Sequence, residues 1–201
     1  GQCVEYAKTE DALFVLSLFD DQEEGYRTMH SQLLRLLGKE RTLSLPENCG
    51  VLEIGPGIGC LTEQLARRAG QVVSVELDRR LLPVLEETLS KYENVSIVSG
   101  DIMKLDIAAL VDTHFSGLTP LVCANLPYNI TTPVLSALID SGRFQRLTVM
   151  IQKEVAQRIC ALPGTADYGA FSLYMQFYTQ PELLFDVPPD CFTPQPKVTS
   201  A

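Results

Sequence analysis

The sequence has no tryptophan, only two histidines and no C-x-x-C pair among its six cysteines. Structural zinc sites use clustered cysteines and histidines, so these shortages exclude the common zinc motifs, and we expect no metal. The cysteines are scattered, several of them inside apolar segments. Such a distribution is typical of reduced thiols, and it predicts a cytoplasmic protein.

Positive charge is also scarce, with 16 lysines and arginines against 25 acidic residues and a net charge of −9. Strong binding to nucleic acid phosphates needs a basic surface, so this charge balance argues against a strong nucleic-acid binder. Apolar runs such as 13–19 are far shorter than the ~20 residues of a membrane span. The N-terminus lacks the basic and apolar segments of a secretory signal. We therefore expect a soluble protein with no membrane partner.

A short apolar strand, 51–54, leads into three glycines and then into a helical pattern over 61–68. Gly55, Gly57 and Gly59 alternate, which lets the backbone approach a ligand closely while helix N–H groups face the same point. The order is G-x-G-x-G, whereas the dinucleotide fingerprint is G-x-G-x-x-G. The segment predicts a crevice for a small ligand.

Acidic residues narrow the choice of ligand. Glu76 ends the next predicted strand, where a carboxylate can accept from both hydroxyls of a ribose. NAD enzymes and S-adenosylmethionine enzymes both fit this pattern. Glu53, two residues before the first glycine, would repel a pyrophosphate but could accept from the amino group of a methionine moiety or face a sulfonium. Glu53 therefore favours S-adenosylmethionine.

Strand and helix patterns alternate along the chain, which predicts an α/β fold with a doubly wound, mostly parallel sheet. Residues 1–48 are expected to form an N-terminal helical segment, in which an amphipathic helix over 26–38 packs on the sheet. The pattern over 79–91 predicts a second helix that covers the sheet. Seven strands with helices on both faces are predicted, at 51–54, 71–76, 95–98, 121–124, 147–151, 174–178 and 183–187.

The carboxyl ends of parallel strands lie along one edge, so four loops should converge on the crevice. Asp101 follows the third strand, where it can accept from an adenine amino group while the Ile102 N–H donates to a ring nitrogen. The alternative for any single acidic residue is that it merely caps a helix.

The loop after the fourth strand reads Asn125-Leu126-Pro127-Tyr128. An amino group conjugated to an aromatic ring is a poor nucleophile because its lone pair is delocalised. Two carbonyls can accept hydrogen bonds from its two N–H groups: that of the Asn125 side chain and that of the Leu126 backbone, which Pro127 holds in place. These bonds turn the nitrogen lone pair toward a methyl donor. Tyr128 can stack on the base. The alternative is a proline turn with an asparagine cap.

Seven segments together resemble the bacterial small-subunit ribosomal RNA adenine dimethyltransferases. They are Glu53-Ile54-Gly55-Pro56-Gly57, Val75-Glu76-Leu77-Asp78, Gly100-Asp101, Asn125-Leu126-Pro127-Tyr128-Asn129-Ile130, the stretch 152–158, Tyr168-Gly169 and the stretch 192–198. The related erythromycin-resistance methyltransferases of large-subunit RNA share the first four segments, but 152–158 and Tyr168-Gly169 favour the small-subunit enzymes.

The resemblance implies a Rossmann-like methyltransferase sheet with one antiparallel strand and S-adenosylmethionine as cofactor. Its target would be N6 of two adjacent adenines in small-subunit ribosomal RNA, or in the assembling subunit, during ribosome biogenesis. Phe192 matches an aromatic residue that stacks on the target base, its alternative being a core phenylalanine. The implied cofactor residues are Glu53, Gly55, Gly57, Glu76, Leu77, Asp101, Ile102 and Asn125.

The sequence departs from the family at both ends. Only Gly1-Gln2 match the family's G-Q-N-F-L segment, since Cys3 replaces the asparagine. The family also continues past the 198–200 strand into a helical domain, so we expect 49–201 to be a catalytic domain without that part. A monomer is expected.

Two other functions stay open. A binding protein or ribosome-assembly factor could keep this fold without its chemistry, as the resemblance to mitochondrial transcription factors of the family allows. An NAD-dependent oxidoreductase would need a glycine where Cys60 stands. The complete Asn125–Tyr128 motif and Glu76 favour a methyltransferase.

Overall fold

The computed structural model describes residues 45–46, 48–187 and 197–201. The chain divides into two compact units, with the boundary between Val149 and Met150. The first unit carries nearly all of the parallel sheet. The predicted N-terminal helix, the Gly1-Gln2 match and Phe192 lie outside the described residues.

The sheet has five strands in the order β3-β2-β1-β4-β5. Its strands are β1 (Cys49–Ile54), β2 (Gln71–Glu76), β3 (Val95–Ser99), β4 (Thr119–Asn125) and β5 (Arg146–Met150). The central strand β1 pairs in parallel with both β2 and β4, and β2 pairs in parallel with β3. Chain order therefore reverses direction at β1, and right-handed crossovers place helices on both faces. The doubly wound prediction is confirmed.

Six helices connect the strands or follow them in the described part of the chain. They are α1 (Cys60–Ala66), α2 (Leu82–Leu89), α3 (Ile107–His114), α4 (Thr131–Asp140), α5 (Lys153–Cys160) and α6 (Ala170–Tyr178). Short 3-10 turns at Arg79–Leu81, Ile102–Lys104 and Tyr128–Ile130 follow β2, β3 and β4. The central strands are mostly apolar because both faces are covered, with Glu53 on β1 and Ser74 on β2 as buried polar exceptions. Val51, Leu52, Val72 and Val73 have no exposed surface.

The second unit contains α5, α6 and a small antiparallel arrangement. Ser200 forms bridges with Gln152 and with Val187, and Ile151 and Ala201 exchange backbone hydrogen bonds of 3.0 and 2.9 Å. Of the seven predicted strands, five are confirmed. In 183–187 the pairing is confined to the Val187 bridge, so no regular strand forms there among the described residues.

The strand predicted over 174–178 is wrong, because these residues belong to α6. Their aromatic side chains suit a strand, but polar neighbours decide the outcome. Ser172 Oγ donates to the Arg158 carbonyl at 2.5 Å, and Gln176 Nε2 donates to the Ile159 and Ala161 carbonyls at 2.8 Å. These carbonyls lie at the end of α5 and need partners. A helix brings positions 172 and 176 within about 6 Å of each other on one face, whereas a strand would separate them by about 13 Å and carry one of them away from the end of α5.

No helix in the described ranges is long and apolar enough to cross a membrane.

Gly50 makes room for a core aromatic ring. A Cβ at this position would lie 2.3 Å from Phe115 Cδ1, and Phe115 itself is buried after α3. A side chain on the central strand would therefore force the ring, or the strand, to move.

We predict that Gly50→Ala lowers the free energy of unfolding by about 1–3 kcal/mol through overpacking. Chemical denaturation measures this change. Gly169→Ala is the matched control, because no atom lies within 4 Å of its added Cβ. Equal stability of Gly50→Ala and the parent chain would contradict the packing at Phe115.

Candidate active site at the carboxyl end of the sheet

The glycine loop turns sharply between β1 and α1. Gly55, Gly57 and Gly59 have φ angles of 69°, 60° and 95°, a region that glycine tolerates best. The Gly55 N–H donates to the Val75 carbonyl at 3.0 Å, and Thr88 Oγ1 on α2 donates to the Ile58 carbonyl at 3.1 Å. The loop is thus tied to both neighbouring elements, and its shape is set before any ligand binds.

Glu76 lies at the end of β2 and is held by two backbone donors. The Gly57 N–H donates to Oε2 at 3.3 Å, and the Asp78 N–H donates to Oε1 at 2.8 Å. Each carboxylate oxygen keeps a second lone pair that can accept another donor. The first bond also links Glu76 directly to the glycine loop, which places a largely buried carboxylate beside the bend of the chain.

Glu53 is buried between β1 and α1, with 1% of its surface exposed. Ser74, its register partner on β2, donates from Oγ to Glu53 Oε2 at 2.6 Å. Thr62 on α1 donates from Oγ1 to the same oxygen, also at 2.6 Å. No other described residue donates to this carboxylate, so Oε1 keeps its capacity for a further donor.

Burial raises the pKa of Glu53 to about 7, because a buried carboxylate loses its hydration when it ionises. The hydroxyls of Ser74 and Thr62 act in the opposite direction, while the neighbouring Glu76 charge adds to the increase. Burial likewise raises the pKa of the Cys123 thiol on β4 to about 12, with a contribution from the Glu53 charge. Glu53 therefore changes its charge near neutral pH.

The turn after β4 lies next to the glycine loop. A Cβ built on Gly55 would be 3.9 Å from Pro127 Cγ, so the two turns are in contact distance. Asn125 is half-buried, and in the described structure no hydrogen bond engages its side-chain amide. The Pro127 carbonyl accepts from the Ile130 N–H at 3.1 Å and from Thr131 Oγ1 at 3.2 Å. These bonds hold the turn while the Asn125 amide keeps its hydrogen-bonding capacity.

A third turn, after β3, completes the edge. The Gly100 N–H donates to the Glu76 carbonyl at 2.9 Å. Asp101 caps the 3-10 turn that follows, because its Oδ1 accepts from the Met103 N–H at 3.0 Å. Leu77, directly after Glu76, is 68% exposed. An apolar side chain exposed beside a buried carboxylate suits one face of a flat aromatic ligand.

Sequence reasoning anticipated most of this edge. The structure connects Gly55, Gly57, Glu76, Gly100 and Pro127 by the contacts above, and Glu53, Leu77, Asp101, Ile102 and Asn125 to Tyr128 lie on the same strands or turns. The observed hydrogen bond of the Asp101 side chain, from the Met103 N–H, is that of a helix cap, which was the alternative interpretation of this residue. Sequence reasoning missed Thr62 and Ser74. Ser74 carried a signal, because it is a polar residue inside an otherwise apolar strand.

The strand order and this edge define the class of protein. A doubly wound sheet binds its ligand where the chain order reverses, which here is between β1 and β4. Both the glycine loop and Asn125 flank that point. The acidic Glu76 at the end of β2 accompanies them, so the first unit has the architecture of the Rossmann-like, nucleoside-binding enzymes.

Comparison with known families makes the assignment narrower. Residues 37–201 match the model of the family described as "Ribosomal RNA adenine dimethylase". The chain is 51% identical over 159 residues to the ribosomal RNA small subunit methyltransferase A of Geobacillus sp. (strain WCH70), covering 78% of this chain and 55% of the relative. It is 54% identical over 157 residues to the protein of the same name from Ligilactobacillus salivarius, covering 77% and 53%. The chain therefore belongs to the ribosomal RNA adenine dimethylase family, and it spans about half the length of these curated relatives.

Solved structures agree with this assignment. A dimethyladenosine transferase from Plasmodium falciparum is similar at a TM-score of 0.67 and 27% identity, over 85% of this chain and 58% of that one. The 23S rRNA methyltransferase ErmE is similar at a TM-score of 0.64 and 31% identity, over 83% and 63%. Methyltransferases of known structure thus share the predicted fold class.

The raised pKa of Glu53 predicts a pH dependence of stability. Its pKa in the folded chain, about 7, exceeds its ordinary value of 4.5. Between these values the folded carboxyl keeps a proton that the unfolded chain has released, so the free energy of unfolding falls as pH rises from about 4.5 to about 7. In Glu53→Gln the amide carbonyl can still accept from both hydroxyls. This variant should lack the decline in the free energy of unfolding, which in the parent chain is on the order of 3 kcal/mol. Chemical denaturation across pH measures it.

Glu63→Gln is the control with the opposite sign. Burial alone would raise the pKa of Glu63, but hydrogen bonds from Lys91, Tyr92 and Arg67 outweigh it and hold the pKa below its ordinary value. Glu63 therefore stabilises the fold at neutral pH, and this contribution is lost as pH falls. Identical pH profiles for the parent chain and Glu53→Gln would show that Glu53 is not buried as described.

Proposed function

We propose that this protein transfers methyl groups from S-adenosylmethionine to N6 of two adjacent adenines in small-subunit ribosomal RNA. The observation that carries the proposal is the position of Asn125. Its amide has hydrogen-bonding capacity to spare at the end of β4, beside the Gly55–Pro127 contact, where a nucleoside cofactor and a target base would meet.

The carboxylates of the edge fit the proposed cofactor. Glu53 Oε1 can accept from the amino group of its methionine part, and the free lone pairs of Glu76 can accept from the ribose hydroxyls. Exposed Leu77 can pack on the adenine, with Asp101 and Ile102 on the neighbouring turn. When bound, the cofactor supplies an electrophilic methyl group on a sulfonium.

The turn after β4 fits the target amino group. The Asn125 side-chain oxygen can accept one N–H, and the Leu126 carbonyl, which accepts from no donor in the described ranges, can accept the other. Pro127, directly after Leu126, restricts the backbone there, with φ at −57°. Tyr128 is half-buried and follows at once, placed to stack on the base. Hydrogen bonds from both N–H groups of the adenine to these carbonyl oxygens localise the nitrogen lone pair. A localised lone pair favours attack of the nitrogen on the methyl group.

The names of the relatives support the proposed substrate. Those with about half of their residues identical are named as small-subunit enzymes, whereas the large-subunit enzyme ErmE is 31% identical. The second candidate function is a large-subunit RNA methyltransferase. The structural similarity to ErmE favours it. The complete motif at Asn125 disfavours a protein that has lost the chemistry.

Further parts of the proposal concern the whole protein. Phe192 is proposed to stack on the target base opposite Tyr128. The partner is small-subunit ribosomal RNA or the assembling subunit, the protein acts in the cytoplasm as a monomer, and no metal takes part. Because this chain has 16 basic against 25 acidic residues, we expect it to contribute few phosphate contacts to recognition.

We predict that Asn125→Ala lowers the methylation rate at least about a hundredfold while cofactor affinity changes far less, because the amide acts mainly on the reacting nitrogen. Mass spectrometry of small-subunit RNA incubated with enzyme and cofactor measures dimethyladenosine.

Asn48→Ala is the matched control. This asparagine lies just before β1, at the opposite end of the strands, where its Nδ2 donates to the Gly117 carbonyl at 2.9 Å. It should methylate at the parent rate. A normal rate in Asn125→Ala would refute the proposed role of the amide, and methylation of large-subunit RNA alone would favour the second candidate.

A second prediction concerns Glu76. Glu76→Ala removes acceptors for the ribose and for the Gly57 and Asp78 N–H groups, so cofactor affinity should weaken by about 1.5–3 kcal/mol per lost charged hydrogen bond, before compensation by water. Calorimetry with S-adenosylhomocysteine measures the affinity. The exposed Glu86→Ala on α2 is the control. Unchanged affinity in Glu76→Ala would remove this residue from the site.

A further inference from the structure

We propose that Thr62 and Ser74 are positioning residues of the cofactor site, which hold the Glu53 carboxylate ionised and oriented so that Oε1 accepts from a cationic group of the cofactor. This inference rests on the proposed function and deepens it. Neither residue belongs to the segments that carry the family resemblance.

The geometry of the two hydroxyls is specific. Both donate to Oε2 at 2.6 Å, Ser74 from the neighbouring strand and Thr62 from the helix above it. Both residues are fully buried, so neither hydroxyl can exchange this partner for bulk water. Short bonds from two directions leave the carboxylate one orientation, with its other oxygen available to a further donor.

The bonds also favour the ionised form. A carboxylate oxygen can accept hydrogen bonds from two hydroxyl groups, whereas a protonated carboxyl group can accept fewer hydrogen bonds. Removing either hydroxyl therefore shifts the group toward its neutral form, which attracts a cation less strongly. Thr62 and Ser74 act on the ligand through Glu53.

The groups facing Glu53 otherwise oppose ionisation. Glu76 is the last residue of the neighbouring strand β2 and adds a negative charge. Cys60 at the start of α1 and Cys123 on β4 are thiols whose pKa values burial raises, with the Glu53 charge as a further cause, so both remain neutral. Among the described residues, the charged groups that act on Glu53 thus include no cation, and the two hydroxyls are its stabilising donors.

The first experiment uses no ligand. Chemical denaturation is followed from pH 4 to pH 9 in Thr62→Val, which keeps the shape of the side chain, and in Ser74→Ala. The decline of stability that Glu53 causes should extend upward by about one pH unit in each variant. In a Glu53→Gln background the same substitutions should produce no shift. A shift that persists in that background would overturn the inference.

The second experiment measures binding of S-adenosylhomocysteine by calorimetry at pH 6 and pH 8.5. Relative to the parent chain, Thr62→Val and Ser74→Ala should bind about tenfold more weakly at pH 6 and within about threefold at pH 8.5. The ligand's own titration is common to every variant, so the ratio of affinities reports on Glu53. Thr62→Ser, which restores the hydroxyl, should recover the parent profile.

A merely structural role predicts a different result. The loss of affinity would then be equal at both pH values, or Thr62→Ser would bind as weakly as Thr62→Val, and either result would overturn the inference. Failure of the parent chain to bind at pH 8.5 would instead overturn the proposed cofactor. Parent binding with unchanged profiles in both variants would overturn this inference alone.

Discussion

Parallel pairing of β1 with both β2 and β4 is the constraint on which the site depends. Helices cover both faces of β1, so this strand is apolar apart from Glu53, and the chain leaves it at the carboxyl edge of the sheet. The glycine loop, the Glu76 turn and the Asn125 turn therefore meet because their strands are neighbours. Without the reversal of chain order at β1, these turns would not flank a common crevice.

Placing Glu53 in this central strand has a cost. A carboxylate buried beside two thiols would be neutral in an apolar core, and the hydroxyls of Thr62 and Ser74 only partly offset its lost hydration. A hydrophobic residue would pack there more simply. The presence of Glu53 is explained if its negative charge binds a cationic ligand. The same side chain would then link the pH dependence of stability to the proposed methyl transfer.

The α6 helix is a segment whose local sequence pattern did not predict its secondary structure. Aromatic residues over 174–178 have strand propensity, yet the carbonyls at the end of α5 need donors, and Ser172 and Gln176 supply them only from a helix. Propensity compares conformations of one segment in isolation. The deciding bonds join two segments, so no inspection of 174–178 alone predicts the result.

The sequence by itself determined the strand–loop–helix unit, the five parallel strands, the edge on which the polar residues lie and the family, because apolar periodicity, glycine spacing and the Asn125–Tyr128 motif are local signals. Tertiary structure alone decided how those residues are used. Asp101 caps its own turn, Glu76 braces the glycine loop, and Thr62 and Ser74 reach Glu53. These outcomes depend on distances between side chains far apart in sequence, which only the packing of helix on sheet sets.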